Sequence, residues 1–322
     1  MNKIKFYFIL SMLSLALFSC SKDKDEEVTP PREFSVQYAT DIKDIEEYLK
    51  TYYIEEVTTN FDIKISKIPT GGSQKSVWDQ TTYPLQFREV NLHGLKYKLY
   101  YLILNEGVGV SPVNIDSYYV AYKGDYLQQV TKESVTTLTV TEFERNSFTL
   151  LSGVITGFSE FMPKLKTGTY SSNPDGTVAY KDFGAGVVFI PSGLGYYNSS
   201  QGSIPAYSPL VFNIKAYEIQ RNDQDGDGIP SYLEDLDGDG YMYSFTNTTL
   251  YPTKPTTNLD DTDGDEVPDC FDVDDDGDNY TTKLERSYKD ANGVVKYYDF
   301  ANIPLCTGGN GKKRHLDPKC HD

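Results

Sequence analysis

The chain of 322 residues has only three histidines, His93, His315 and His321, and they are scattered. No zinc-ligand spacing, Ser-His-Asp order or Cys-His pair can be assembled from them, which excludes the common hydrolytic and zinc chemistries. No Gly-rich phosphate loop occurs. Cysteine is scarce, at positions 20, 270, 306 and 320 only. The apolar run near the start, Phe6 to Phe18, is too short to cross a bilayer as a helix. Basic residues are nearly missing from one stretch: residues 222–285 carry 19 acidic side chains against Lys254 and Lys283. Their balance, 2 − 19 = −17, equals the net charge of the whole chain, and the remainder is even. Charge concentrated in this way points to a cation site or an acidic tract, and a chain so acidic is a poor nucleic-acid binder.

The first 19 residues read as a targeting segment, with Lys3 and Lys5 ahead of the apolar run. Leu17-Phe18-Ser19-Cys20 resembles the lipobox of bacterial lipoproteins, which implies acylation of Cys20. Residues 20–33 form a charged and Pro-containing tether. Its Lys/Asp/Glu cluster looks like the surface-export signal of Bacteroidota lipoproteins, or else a plain solvated spacer. The chain is therefore expected in the cell envelope, anchored to the outer membrane through lipid, facing the periplasm or the exterior. In that oxidising setting one disulfide is expected, either Cys306–Cys320 or Cys270–Cys306.

Residues 34–94 read as a small N-terminal module. Ile42, Ile45, Leu49 and Tyr52/Tyr53 stand at helical spacing over 41–53, with Asp41 as candidate N-cap. From Leu95 to 220 the pattern is β: aromatic and β-branched runs at 96–110, 116–127, 134–144, 187–190 and 210–219. One short helix is predicted within 152–165, ended early by Pro163. Asn173-Pro-Asp-Gly signals a turn in an insertion, 169–186, expected as a hairpin near the substrate cleft. Strands around one short helix predict an α+β fold.

Separated motifs in this region (VAYKG with Tyr122, Phe143-Glu144, GVITGF at 153–158, VVFIPSGLGYY with Tyr196, and Ile204-Pro205) resemble an FKBP-type peptidyl-prolyl isomerase over about 40% of the chain. The resemblance implies a bent antiparallel sheet wrapped over the short helix, with proline bound in an apolar cleft between them. It implies a pocket of Tyr122, Phe143, Phe148, Val154, Ile155, Phe158, Tyr196, Ile204 and Phe212, with the Ile155 N–H and the Tyr196 hydroxyl holding substrate carbonyls. Glu144, where the family usually has Asp, would orient the twisting amide, and Phe158 stands where the family usually has Trp. Such residues suit the reaction. The X–Pro bond turns against a barrier of about 18–20 kcal/mol set by amide resonance, and a dry aromatic pocket disfavours the planar, polar amide relative to the twisted one. No proton transfer and no catalytic cofactor are needed.

Residues 221–285 carry loop spacings. Asp223, Asp225 and Asp227, Gly228, the Ile229 carbonyl and Glu234 fill positions 1, 3, 5, 6, 7 and 12 of an EF-hand-like calcium loop. Asp235, Asp237 and Asp239 begin a second, with Thr246 at position 12. Asp261, Asp263 and Asp265 begin a third, with Asp269 and Asp272 at positions 9 and 12. Asp274, Asp276 and Asp278 begin a fourth, ending at Glu285. Without long flanking helices they resemble thrombospondin type 3 repeats, which implies structural calcium in a loop-rich extension followed by a Cys-containing tail, 286–322. The expected function is prolyl isomerisation of exported or outer-membrane clients. The rival readings are a non-catalytic Pro-segment binder and a structural calcium-binding surface lipoprotein.

Overall fold

Period-2 alternation along the long strands builds a sheet whose two faces are both buried. In the computed structural model, residues 30–320 are described; the leader and residues 20–29 of the tether, Cys20 among them, lie outside them. The elements run α1 (Phe34–Thr51), β1 (Tyr52–Val57), β2 (Ile63–Lys67), β3 (Gln86–Leu92), β4 (Leu95–Asn105), β5 (Ser117–Lys132) and β6 (Val135–Leu151). Then come α2 (Thr156–Phe161), β7 (Thr169–Ser172), β8 (Val178–Lys181), β9 (Gly184–Ile190) and β10 (Leu210–Gln220). Beyond residue 220 the chain is mostly loop, with α3 (Thr282–Glu285) and the hairpin β11 (Ser287–Lys289) and β12 (Val295–Tyr297). The architecture is a large antiparallel sheet with few helices: six strands in the order β3-β4-β9-β10-β5-β6.

One face sets Tyr97, Leu99 and Tyr101 of β4, Val188 and Ile190 of β9, and Phe212 and Ile214 of β10 against Phe158, Phe161 and Met162 of the α2 region. The opposite face sets Tyr100, Leu102, Val187, Phe189 and Val211 against Ile45, Tyr48 and Leu49 of α1. Neighbours in sequence thus serve opposite cores, which is why β9 is buried along its whole length. α2 ends at Phe161 and tightens into a 3-10 turn over Met162–Lys164, because Pro163 cannot continue the helical bonding. Gly157 lets α2 lie flush on the sheet; a Cβ there would sit 2.3 Å from Ile190 Cγ2.

Two expectations are corrected. Residues 34–94 are not a module apart: β3 pairs with β4 inside the main sheet, α1 roofs its second face, and residues 33 onward form one compact unit. Nor does Asp41 cap a helix. α1 begins seven residues earlier, at Phe34, and Asp41 lies buried within it. One oxygen accepts from the Ser192 N–H (2.8 Å) and hydroxyl (2.6 Å), the other from Gln37 Nε2 (2.6 Å). Burial pushes this carboxyl up to about 6, against the pull of those bonds.

The part beyond residue 220 docks on the same unit. Arg88 of β3 pairs with Glu160 of α2 (2.8 Å), the Tyr243 hydroxyl donates to Glu160 (2.7 Å), and the Tyr241 hydroxyl donates to the Glu160 carbonyl (3.0 Å). Cys306 and Cys320 form the disulfide, and Cys270 is a buried thiol. No described helix is long and apolar enough to cross a membrane.

Candidate active site and acidic loops

Eight of the nine expected pocket residues belong to the apolar core on the α2 face of the sheet. Phe158, Ile204 and Phe212 are buried in that core, and Tyr122, Phe143, Val154, Ile155 and Tyr196 pack against it half-buried. The rings interlock edge to face: Phe158 to Phe212 at 5.5 Å, Phe143 to Phe212 at 5.6 Å, Tyr122 to Phe212 at 5.8 Å and Tyr122 to Phe158 at 6.3 Å. Phe143 reaches this cluster through a β-bulge. Gly124 pairs with Glu144 and Asp125 with Glu142, so Phe143 is the extra residue. Its ring lies over Gly124, where a Cβ would fall 2.3 Å from Cζ.

Phe148 belongs elsewhere. A second irregularity between Val120 and Tyr122 separates it from Phe143, and its ring stacks on Tyr119 (5.5 Å) and Tyr180 (5.6 Å). That ladder continues through Tyr217 and Phe183 to Phe61, part of the α1-side core. The insertion forms the expected hairpin, β7–β8, but its Tyr180 joins this ladder and not the rings around Phe212.

At the margin of the cluster, Tyr122 donates its hydroxyl to Glu144 (2.6 Å), and Asn146 Nδ2 donates to both Glu144 (2.8 Å) and the Tyr122 hydroxyl (2.8 Å). Burial, then the Glu144 hydrogen bond, pushes Tyr122 up to about 12, so it stays a neutral donor. Tyr196 is pushed up by burial, then by the Glu144 charge. Ile155 is the N-cap of α2, with extended backbone.

Sequence reasoning missed what holds the Tyr196 loop. Asp41 of α1 binds Ser192, Gln37 donates to the Tyr207 carbonyl (3.3 Å), and Phe34 stacks on Tyr197 (4.2 Å). One helix outside the expected domain thus grips both ends of the 192–207 loop. Only the buried polar pair Gln37 and Asp41, four apart on one face, hints at it in the sequence.

In the acidic region each of the four Asp triplets gathers its carboxylates, one oxygen per residue, within 4.8 Å of one another. Glu234 and Glu285 are buried, and neither oxygen of either has a hydrogen-bond partner. Burial, then the charges of neighbouring carboxylates, pushes both up to about 9. Oxygen-only donors that converge, with the Glu234 and Glu285 carboxylates lacking a hydrogen-bond partner, fit a hard cation such as calcium. The Asp triplets, the Ile229 carbonyl, Glu234 and Glu285 are the residues that would hold it. Asp269 does not join them: it accepts from the Thr262 N–H and hydroxyl, both at 2.8 Å, and so fastens the third loop. Asp272 accepts from the Asp274 N–H (2.9 Å). Asp275, which loop spacing passes over, instead meets Asp225 and Glu234.

The family model of the BamM C-terminal region matches residues 224–313, the acidic extension and part of the tail. No curated protein matches the chain. Among the solved structures with which it aligns are two bacterial proteins and one from a plant. FkpA from Escherichia coli is 25% identical, with a TM-score of 0.28, over 38% of this chain and 48% of that one, about half its length. A peptidyl-prolyl cis-trans isomerase from Pseudomonas syringae is 19% identical, with a TM-score of 0.29, over 42% and 81%. The FKBP domains of wheat FKBP73 are 14% identical, with a TM-score of 0.29, over 42% and 52%.

Proposed function

We propose that the chain is an FKBP-type peptidyl-prolyl isomerase of the cell envelope, acting on proline-containing segments of exported or outer-membrane proteins. The observation that supports this reading is the edge-to-face interlocking of Tyr122, Phe143, Phe158 and Phe212 in a core to which Ile155, Tyr196 and Ile204 also belong. A buried centre with a half-exposed margin suits a pyrrolidine ring seated on Phe158 and Phe212, with Tyr122, Phe143 and Tyr196 around it. The substrate's carbonyls would meet the Ile155 N–H and the Tyr196 hydroxyl. In that dry setting the planar amide, with its larger charge separation, is less well solvated than the twisted one. Each 1.36 kcal/mol of that difference speeds rotation tenfold. Glu144 acts indirectly, by fixing the Tyr122 hydroxyl.

Residues 95–220 supply this site, and 221–285 form a calcium-ordered extension. Cys20 carries the lipid that holds the chain at the outer membrane; the BamM match supports that outer-membrane-related setting. The test is a protease-free prolyl isomerisation assay on the full chain, wild type against Phe143→Ala. Catalysis by the wild type and its loss in the variant supports the reading. Both at the uncatalysed rate, with a Pro peptide still bound, would leave a binding module instead of an enzyme.

A further inference from the structure

Asp275 lies between two expected ligand positions of the fourth acidic loop, but its carboxylate groups with side chains of the first loop and not with that triplet. Its carboxylate meets Asp225 and Glu234, with one oxygen of each within 4.8 Å of the others. The place is dry: Asp275 is 1% exposed, Glu234 2% and Asp227 3%. Neither oxygen of Asp275 or Glu234 has a hydrogen-bond partner, and Asp225 Oδ2 and Asp227 Oδ2 also lack one. The basic side chains nearby are spent on carbonyls. Arg286 donates to the Asp227 carbonyl (2.9 Å) and the Tyr298 carbonyl (2.9 Å), and Lys283 donates to the Gly226 carbonyl (2.9 Å). Unpaired carboxylates at this depth carry a large desolvation cost unless a cation joins them.

We propose that Asp275 is a ligand of the first loop's cation. With Asp223, Asp225, Asp227, Glu234 and the Ile229 carbonyl it makes a cross-loop calcium site. One oxygen from each of the three Asp residues, the Ile229 carbonyl, a bidentate Glu234 and Asp275 supply about seven or eight donors. Calcium takes six to eight, whereas magnesium demands six in a near-ideal octahedron. The site clips residues 223–234 to residues 272–285. The first and fourth loops are therefore loaded and ordered together, and the intervening 40-odd residues form one closed loop, where serial repeats would order one by one.

This inference rests on the calcium reading of the first loop, and the experiment separates the two. Calcium alone is titrated calorimetrically into the full chain in chelator-treated buffer, for wild type, Asp275→Asn and Asp223→Asn. Hydrogen exchange of 223–234 and 272–285 is followed across the same titration. In the wild type both segments gain protection at one calcium midpoint. Asp275→Asn weakens one site at least tenfold and splits the midpoints, with a melting midpoint in EDTA no lower than that of wild type. Asp223→Asn weakens the same site without relieving Asp275. If Asp275→Asn keeps wild-type affinity within twofold while Asp223→Asn loses it, the calcium loop stands and Asp275 is no ligand. If the wild type takes up no calcium, both readings fall. Should Asp275→Asn not fold, the wild-type exchange decides: coincident midpoints support the clip, and separate midpoints overturn it.

Discussion

Replacing Gly124 by Ala tests whether the position of Phe143 matters independently of its presence. The new Cβ would lie 2.3 Å from Cζ and 2.8–2.9 Å from both Cε atoms of Phe143. Ordinary contact begins near 3.4 Å, so the ring must retreat by 3.4 − 2.3, about 1.1 Å. It can do so, because it is the half-exposed end of a side chain on a bulged edge strand. The stability cost is therefore at the low end of the overpacking range, about 1 kcal/mol. The catalytic cost is larger. A misplacement of about 1 Å at a reacting centre costs on the order of 100-fold, near 2.7 kcal/mol of barrier. A protease-free isomerisation assay and a urea melt, run on wild type and Gly124→Ala, should show kcat/KM falling about 100-fold with the fold nearly intact. A rate within twofold of wild type would refute the claim that Phe143 must hold its place over Phe212.

Tyr196→Phe removes one hydrogen bond to the substrate and should cut kcat/KM about 3- to 10-fold with an unchanged melting midpoint. Phe148→Ala, in the separate ladder, should leave isomerisation within twofold of wild type; a large loss would return that ring to the site. Asp41→Asn reads out through pH. Its carboxyl holds its proton up to about 6 when folded and only to about 3.8 otherwise, so the wild type loses stability as pH rises through that window. The loss is about 3 kcal/mol, and the variant should lack it in urea melts at pH 4 and pH 7. Cutting the Cys306–Cys320 link with Cys306→Ser opens a loop of about 15 residues and should cost roughly 3 kcal/mol, read as earlier loss of protection in the tail.

The strands of the main sheet were legible because each carries its own period. In β4, Tyr97, Leu99 and Tyr101 face one core while Tyr100 and Leu102 face the other, so a single run of residues announces both faces. The early end of α2 was legible for an equally local reason, Pro163. Phe148 was not. Its placement depends on a bulge, and one inserted residue re-aims every side chain near it without changing the composition of the strand. Asp41 was misread for the opposite reason: an Asp before an apolar periodic run has the form of a cap, but α1 already begins at Phe34, and the distant Ser192 satisfies the buried carboxylate.

The same contrast explains the acidic extension. Ligands at positions 1, 3, 5 and 12 are close in sequence because a loop wraps its own ion, so spacing reveals them. Asp275 answers to a partner about 50 positions away, and no local period encodes that distance. Glu160 is a third such case. It ties α2, which supplies Phe158 to the ring cluster, to Arg88 of the edge strand and to Tyr241 and Tyr243 inside the second acidic loop. Tyr241 stands at position 7 of that loop and donates its N–H to Asp239 (2.7 Å). A cation in the second loop would therefore fix the residue that braces the helix under the rings. The sites that resist sequence reading are the ones joining one part of the chain to another. At Glu160 such a joint links the acidic extension to the helix beneath the ring cluster.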